Sequence, residues 1–279
     1  MSKKIQESNI TQKVMAYALI ASGALVMLLP FYFMFVFATH ERADIFSMPP
    51  PTFFGVAIFE NLENLFSKVP FLRNAALSLY VAIMSTALSL VFCTMGGYAF
   101  AFFEFPGKKQ LFALVLGTML LPSFLGMIPT FMIMDTLGWL DQPRALYIPG
   151  AAGAFGIFLM RQYISSAIPK EIIQSARVDG AGELRILFTI VFPLAGPALG
   201  TLGIVTFVAS MNNFIAPLIV MRTPEMYTIP LALRSLQSPV DTPWGAIMAG
   251  SAIATLPLII IFIFFSQKII SGLTTGAVK

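Results

Sequence analysis

The stretch LRNAALSLYVAIMSTALSLVFCTMGGYAFAF, Leu72–Phe102, carries one charged side chain, Arg73, at its very start. A membrane-crossing helix needs about 20 mostly apolar residues, so this run reads as a span, long enough to tilt or to run beyond the bilayer. Outward from it, five further runs read the same way, giving six expected spans: 14–38, 72–102, 110–135, 145–163, 196–221 and 245–266. The third and fourth are separated only by a short turn with Gly138, Asp141, Gln142 and Pro143. The first is longer than a signal-peptide core of about 7–15 residues and lacks a clear cleavage site, so a retained helix is expected there.

Composition agrees. The 279 residues are 57% hydrophobic and 11% charged, against about 25% charged in a soluble domain. The net charge of +4 sits between the apolar runs, which favours a role in orienting the chain over one in nucleic-acid binding. With both termini placed in the cytoplasm, the inner segments carry Lys3, Lys4, Lys13, Lys108, Lys109, Arg161, Lys170, Arg177, Arg185, Lys268 and Lys279. The outer ones carry Arg42, Lys68, Arg73, Arg144, Arg222 and Arg234. The excess of inner cations favours that orientation. Outer segment 39–71 holds Pro49, Pro50 and Pro51, then Phe59, Leu62, Leu65 and Phe66 at near-helical spacing, the pattern of an interfacial helix. Outer segment 222–244 has four prolines and no domain-length soluble part.

The spans are nearly free of ionisable groups. Asp135 and His40 fall at span ends, and Cys93 reads as a small packing residue. Gly196 and Gly200 form a GxxxG pair, and Ala152 with Gly156 a weaker one, expected to pack helices within the bundle or against a second subunit. There is no histidine or cysteine cluster for a metal and no GxxxxGK[ST] phosphate loop. A proton-coupled carrier would need intramembrane charge, so energy for uphill transport must come from a partner. Asn212 and Asn213 stand out in the fifth span. An amide in hydrocarbon must be paired, so each is expected either in an interhelical bond or on a watery path, with Phe214 or Tyr80 as an apolar wall.

Segment 168–197 is different in kind. Pro169 suits a first helical position; Ile172, Ile173 and Ala176 share one face, and Lys170, Gln174 and Arg177 another. Asp179-Gly180 ends this helix, and a second amphipathic stretch runs from Gly182 through Leu184, Leu187 and Phe188. Pro193 and Pro197 mark the return to the membrane. Two readings remain on these grounds: a helix–turn–helix dock for another surface, or an amphipathic loop lying on the bilayer.

The same residues resemble the EAA loop of ATP-binding-cassette importer permeases, whose pattern is roughly E-A-A-x-x-D-G-A followed by F and P-L-x-x-P. Ala176, Asp179, Gly180, Ala181, Phe188, Pro193, Leu194 and Pro197 match, while Gln174 and Ser175 stand where Glu and Ala are usual. The chain also resembles the smaller permease of the maltose-type carbohydrate family. Asn74, Tyr98 to Ala101, Phe105 to Lys108, Pro122 and Pro129 fit in order, as do Asn212 to Phe214 and the ending Gln267-Lys268 and 272–279.

The resemblance implies an all-α integral membrane protein with about six spans, in the type I importer permease fold. Residues 1–279 would form a single permease domain with the coupling loop at 165–195. It implies translocation of a sugar or oligosaccharide across a prokaryotic cytoplasmic membrane. The chain would have no ATPase site of its own, ATP and Mg being bound by partners. Those partners would be a second permease, two ATP-binding subunits and an extracytoplasmic solute-binding protein, the last touching outer segment 222–244. Coupling to the ATPase would fall to Glu171, Gln174, Ser175, Ala176, Asp179, Gly180 and Ala181, and to the tail residues Thr274, Thr275, Gly276 and Lys279. The substrate path would involve Asn212, Asn213, Phe214, Asn74 and Tyr80. Alternatives are another polar solute such as glycerol phosphate, or a non-transporting scaffold, which would need no ATPase dock.

Overall fold

A computed structural model describes residues 10–275. Those residues form helices joined by turns, with no strand among them. In chain order the main helices are α1 (Ile10–Phe37), α2 (Ile58–Lys68), α3 (Phe71–Phe102), α4 (Lys108–Thr118), α5 (Met127–Thr136), α6 (Ala154–Ala167), α7 (Lys170–Val178), α8 (Gly196–Met211), α9 (Ile215–Val220), α10 (Ile229–Ser235) and α11 (Trp244–Thr275). Three are long and apolar enough to cross a membrane alone: Gln12–Phe37 of α1, Phe71–Phe102 and Trp244–Phe264 of α11.

The other three expected spans are broken. Run 110–135 splits into α4, a 3₁₀ turn at Ser123–Gly126 and α5. Run 145–163 splits into a single turn, Arg144–Tyr147, and α6, with Pro149, Gly150 and Gly153 between. Run 196–221 splits into α8 and α9 at Asn212–Phe214. Hydropathy is blind to such breaks, because the pieces on both sides are apolar. Backbone at membrane depth can leave the helix only where protein or a watery cavity satisfies it.

The described residues fall into two compact units, one of residues up to Lys68 with Leu236–Ile253, the other of Val69–Ser235 with the rest of α11. In the first, α1 is apolar on all sides and exposed along most of its length, as suits a helix that lipid surrounds. Asn61 of α2 is buried and donates from Nδ2 to the Ala38 and His40 carbonyls at 2.9 and 3.0 Å, tying α2 to the end of α1. A Cβ at Gly245 would strike the Asn61 amide, so α11 begins where only glycine fits. Phe46 meets the Trp244 ring edge-on at 5.9 Å. The interfacial helix expected near Phe59 exists as α2, but its buried face is Asn61 and Leu65, while Phe59 and Phe66 are exposed.

In the second unit, α3 is the axis against which α6 and α8 pack. A Cβ at Gly97 would come within 2.6 Å of Met160 Cβ, and one at Gly156 within 2.5 Å of Cys93 Sγ. These two glycines let α3 and α6 approach closely. Gly156 therefore packs inside the unit, and Cys93 is a buried packing residue. Gly196 and Gly200 instead line a groove of about 310 Å³ with Thr86, Leu90 and Phe207.

Candidate functional site

Segment 165–195 folds as the sequence suggests: α7, a sharp corner, a helical turn Glu183–Ile186 continued by a π-turn Leu187–Val191, and a final turn Phe192–Leu194. This last arm meets α8 at 85°. Pro197, in the first turn of α8, lacks the N–H that would continue the preceding helix.

Gly180 closes the corner. Its φ is +77°, its N–H donates to the Arg177 carbonyl at 3.0 Å, and the Ala181 N–H donates to the Ala176 carbonyl at 3.0 Å. That pair of bonds is a Schellman motif, with glycine at the left-handed position and Ala176 and Ala181 in the accompanying apolar contact. Both alanines pack against a core containing Ile173, Ile186, Leu187, Val191, Ile164 and Met160. Each short helix thus buries one stripe in the second unit and leaves its other side open.

The second stretch buries Ile186, Leu187 and Val191, with Leu184 and Phe188 largely exposed, a shift from the expected Leu184–Leu187–Phe188 face. The π-turn widens the register and re-aims those side chains.

Across the corner runs a clamp that links sequence-distant groups. Arg177 Nε donates to Glu183 Oε1 at 2.7 Å and Arg177 Nη2 to Oε2 at 3.2 Å, a two-bond fork. Tyr98, near the end of α3, donates its hydroxyl to Glu183 Oε2 at 2.6 Å. The Arg177 guanidinium also lies 5.2 Å from the Phe103 ring centre. The Arg177 hydrogen bond, which outweighs partial burial, holds the Glu183 carboxyl below its ordinary range and raises Arg177 in turn. Both ends of the corner are therefore fastened to α3 through one carboxylate. As a group, Arg177, Glu183 and Tyr98 stand outside the residues expected from the sequence to couple. An Arg and a Glu flanking Asp179-Gly180 were a readable signal, but Tyr98 lies 85 positions from Glu183 and gave none.

Of the expected coupling residues, Glu171, Gln174, Ser175, Asp179 and Gly180 lie exposed around the corner, and Ala176 and Ala181 are half-buried. Val178, apolar, is 87% exposed beside them. Thr274 and Thr275 end α11, whereas Gly276 and Lys279 lie outside the described residues.

The expected path residues scatter. Asn212 and Asn213 stand in the break between α8 and α9, both exposed. Asn213 Oδ1 accepts the Ala216 N–H at 3.1 Å, and Asn213 lines a cavity of about 460 Å³ with Phe124, Thr130 and Leu146. Phe214 packs with Trp139, Leu140 and Met221 in an apolar cluster whose Leu146 and Val220 also line that cavity. Tyr80, half-exposed, meets Tyr147 edge-on at 5.9 Å. Asn74 is fully buried, and its Nδ2 donates to the Pro224 and Tyr227 carbonyls at 2.8 and 2.9 Å, so it braces the 224–227 turn. Among the described residues, no group of three or more His, Cys, Asp or Glu is placed to hold a metal ion.

Residues 93–274 match the family model described as binding-protein-dependent transport system inner membrane component. The chain is 31% identical over 266 residues to the lactose transport system permease of Rhizobium radiobacter, covering 95% of this chain and 96% of that one. It is 40% identical over 202 residues to the arabinooligosaccharides transport system permease of Bacillus subtilis, 72% of each. Its fold superposes on a chain of a bacterial ABC transporter involved in the import of the acidic polysaccharide alginate. The TM-score is 0.80 at 23% identity, covering 95% of this chain and 99% of that one.

Proposed function

The chain belongs to the family of binding-protein-dependent transport system inner membrane components, a multi-pass membrane family, and on that premise we propose that it is one permease half of an ATP-driven importer for a sugar or oligosaccharide. The lactose and arabinooligosaccharide permeases among its relatives support the substrate class. Both termini face the cytoplasm in this reading, supported by the excess of lysine and arginine on that side. The partners are a second permease, two ATP-binding subunits that hold ATP and Mg, and an external solute-binding protein near outer segment 222–244. The 1–279 chain acts as one permease domain and catalyses no covalent reaction.

One observation carries the coupling assignment: the clamped corner at Gly180. A switch between inward- and outward-facing states needs a rigid contact that moves as a body. The Glu183 clamp fixes the two short helices to each other and to α3. The exposed ridge of Gln174, Val178 and Asp179 is then free to meet an ATPase surface. The 85° bend into α8 gives that motion a lever into the membrane, ending at Asn212 and Asn213. There an amide beside an aromatic wall suits a sugar, which presents hydroxyls on its rim and C–H groups on its faces. Thr274, Thr275, Gly276 and Lys279 reach the ATPase interface in the same reading.

The test is the reconstituted complex of this chain with its second permease, ATP-binding subunits and binding protein. A sugar supplied with the binding protein stimulates ATP hydrolysis, and uptake into vesicles follows it. Asn213→Ala alters apparent affinity or sugar preference and leaves the amount of assembled complex unchanged. Failure of every sugar to stimulate hydrolysis defeats the substrate class. Unchanged affinity and preference with less assembled complex defeats the path assignment.

A further inference from the structure

At the end of α3 that carries Tyr98, a pocket of about 560 Å³ is lined by Phe100, Glu104, Phe105, Lys108, Lys109, Phe112 and Arg161. We propose that this pocket binds the phosphodiester headgroup of an anionic phospholipid. It is independent of the coupling corner and rests on the membrane-spanning fold alone.

Depth is the first ground. Between Arg73 and Glu104, α3 carries no charged side chain, and at about 1.5 Å per residue the interval spans about 45 Å, the thickness of a bilayer with both headgroup layers. The first charges after it, Glu104, Lys108 and Lys109, therefore fall in the headgroup layer. Gly107, with φ +77°, turns the chain there so that α4 starts beside α6, which brings Arg161.

The charge balance is the second ground. Lys108 Nζ is occupied, donating to the Phe103 carbonyl at 2.7 Å and to Glu104 at 3.1 Å. Lys109 and Arg161 have no carboxylate partner among the described residues, which leaves the pocket an excess of two positive charges.

Arg161 supplies the third ground. Its guanidinium lies over the Phe112 ring at 4.2 Å, and Nη1 donates to Gln162 Oε1 at 2.9 Å. Its Nε–H is buried with no partner among the described residues. A buried charged donor left unpaired is costly, and a guanidinium fork matches a phosphodiester with two parallel bonds. Phe100, Phe105 and Phe112, in ring contact at 5.2 and 6.0 Å, form an apolar wall suited to the glycerol and upper acyl carbons. Basic pockets between helices at a membrane face take such headgroups.

The assembled importer, equilibrated with detergent micelles holding equal phosphatidylcholine and phosphatidylglycerol and then repurified, reports the lipid retained by mass spectrometry. The complex should hold phosphatidylglycerol over phosphatidylcholine. At about 1 kcal/mol per basic residue near a membrane surface, Arg161→Gln or Lys109→Gln lowers that retention about fivefold, and the pair more than tenfold. Lys109 is exposed, so its substitution leaves the fold intact. Unchanged retention in both variants overturns the proposal. Displacement of the lipid by millimolar inorganic phosphate reassigns the pocket to free phosphate and overturns it as well. Loss of the ATP-binding subunits from Lys109→Gln makes the patch a protein dock, which also overturns it.

Discussion

Two carboxylates serve opposite ends of α3, and they are held in different ways. Glu183 is gripped by side chains, Arg177 and Tyr98. Asp141 is gripped mainly by backbone. Its Oδ1 accepts the Arg222 and Thr223 N–H groups at 2.9 and 3.1 Å, and its Oδ2 accepts the Thr223 hydroxyl at 2.8 Å. Asp141 itself sits at φ +60° and donates its N–H to the Val220 carbonyl at 2.8 Å. The adjoining turn is braced by Asn74 near the start of α3. A backbone-held acid fixes the path of two loops and has nowhere to go. A side-chain clamp can transmit a push as a unit, because its members are mounted on separate elements that rotamers keep in register. The first suits a static rim, the second a part that moves as a body.

The largest expected effect falls on the clamp. Glu183→Ala frees Arg177 and Tyr98 together, so the corner no longer moves with α3. Sugar-stimulated ATPase should fall by about tenfold, within the usual range of coupling energies, while the subunits still co-purify. Stimulation unchanged in this variant would mean that the clamp is only structural.

Asp141→Ala sharpens the contrast. It releases two backbone N–H groups to water and puts alanine at a positive φ, costing about 1 kcal/mol. A thermal shift of the purified complex should register that loss. The ratio of stimulated to basal ATPase should stay as it was, whereas a falling ratio would erase the distinction between the two ends.

Gly180 separates strain from contact. A Cβ there meets nothing within 4 Å, so the chain itself offers no clash. Gly180→Asn tolerates the left-handed backbone and should cost a few tenths of a kcal/mol, Gly180→Leu about 1 kcal/mol. Coupling lost with Leu and kept with Asn, at similar assembly, places a partner over the corner; equal coupling in both removes it.

The smallest effect is the response to acid. Partial burial pushes Asp141 upward, but its backbone hydrogen bonds outweigh this and hold it below its ordinary value; Glu183 is lowered by Arg177. A carboxyl whose folded value is depressed contributes stability above its unfolded value, near 4, and loses it as pH falls through the folded value. Both clamps should hold unchanged from pH 8 to 5 and loosen only below about pH 4. Thermal melts across that range check the sign, and a loosening between pH 6 and 7 would contradict it.

Much of this architecture was legible in the residues. Apolar runs disclosed the spans because lipid demands about 20 such residues whatever the packing. Asp179-Gly180 disclosed the corner because few sequences other than glycine take a left-handed cap cheaply. The breaks at 119–126, 148–153 and 212–214 were hidden, since apolar segments stand on both sides of each. Gly117, Pro122, Pro149, Gly150 and Gly153 hinted at two of them. Asn74 entered the expected path through the resemblance, and its carbonyl partners at Pro224 and Tyr227, 150 and 153 residues away, left no mark in the sequence around it. The buried face of α2 gave no signal for a similar reason: Asn61 faces inward because two backbone carbonyls at the end of α1 need a donor.

Val178 offers the most direct measurement of the central claim, that the corner docks the ATPase. It is an apolar side chain, 87% exposed, one residue before the Asp179-Gly180 turn. A photoreactive amino acid placed there in the assembled importer should crosslink to the ATP-binding subunit, with a yield that changes when ATP is added. Crosslinks to lipid alone, or a yield indifferent to ATP, would contradict the account.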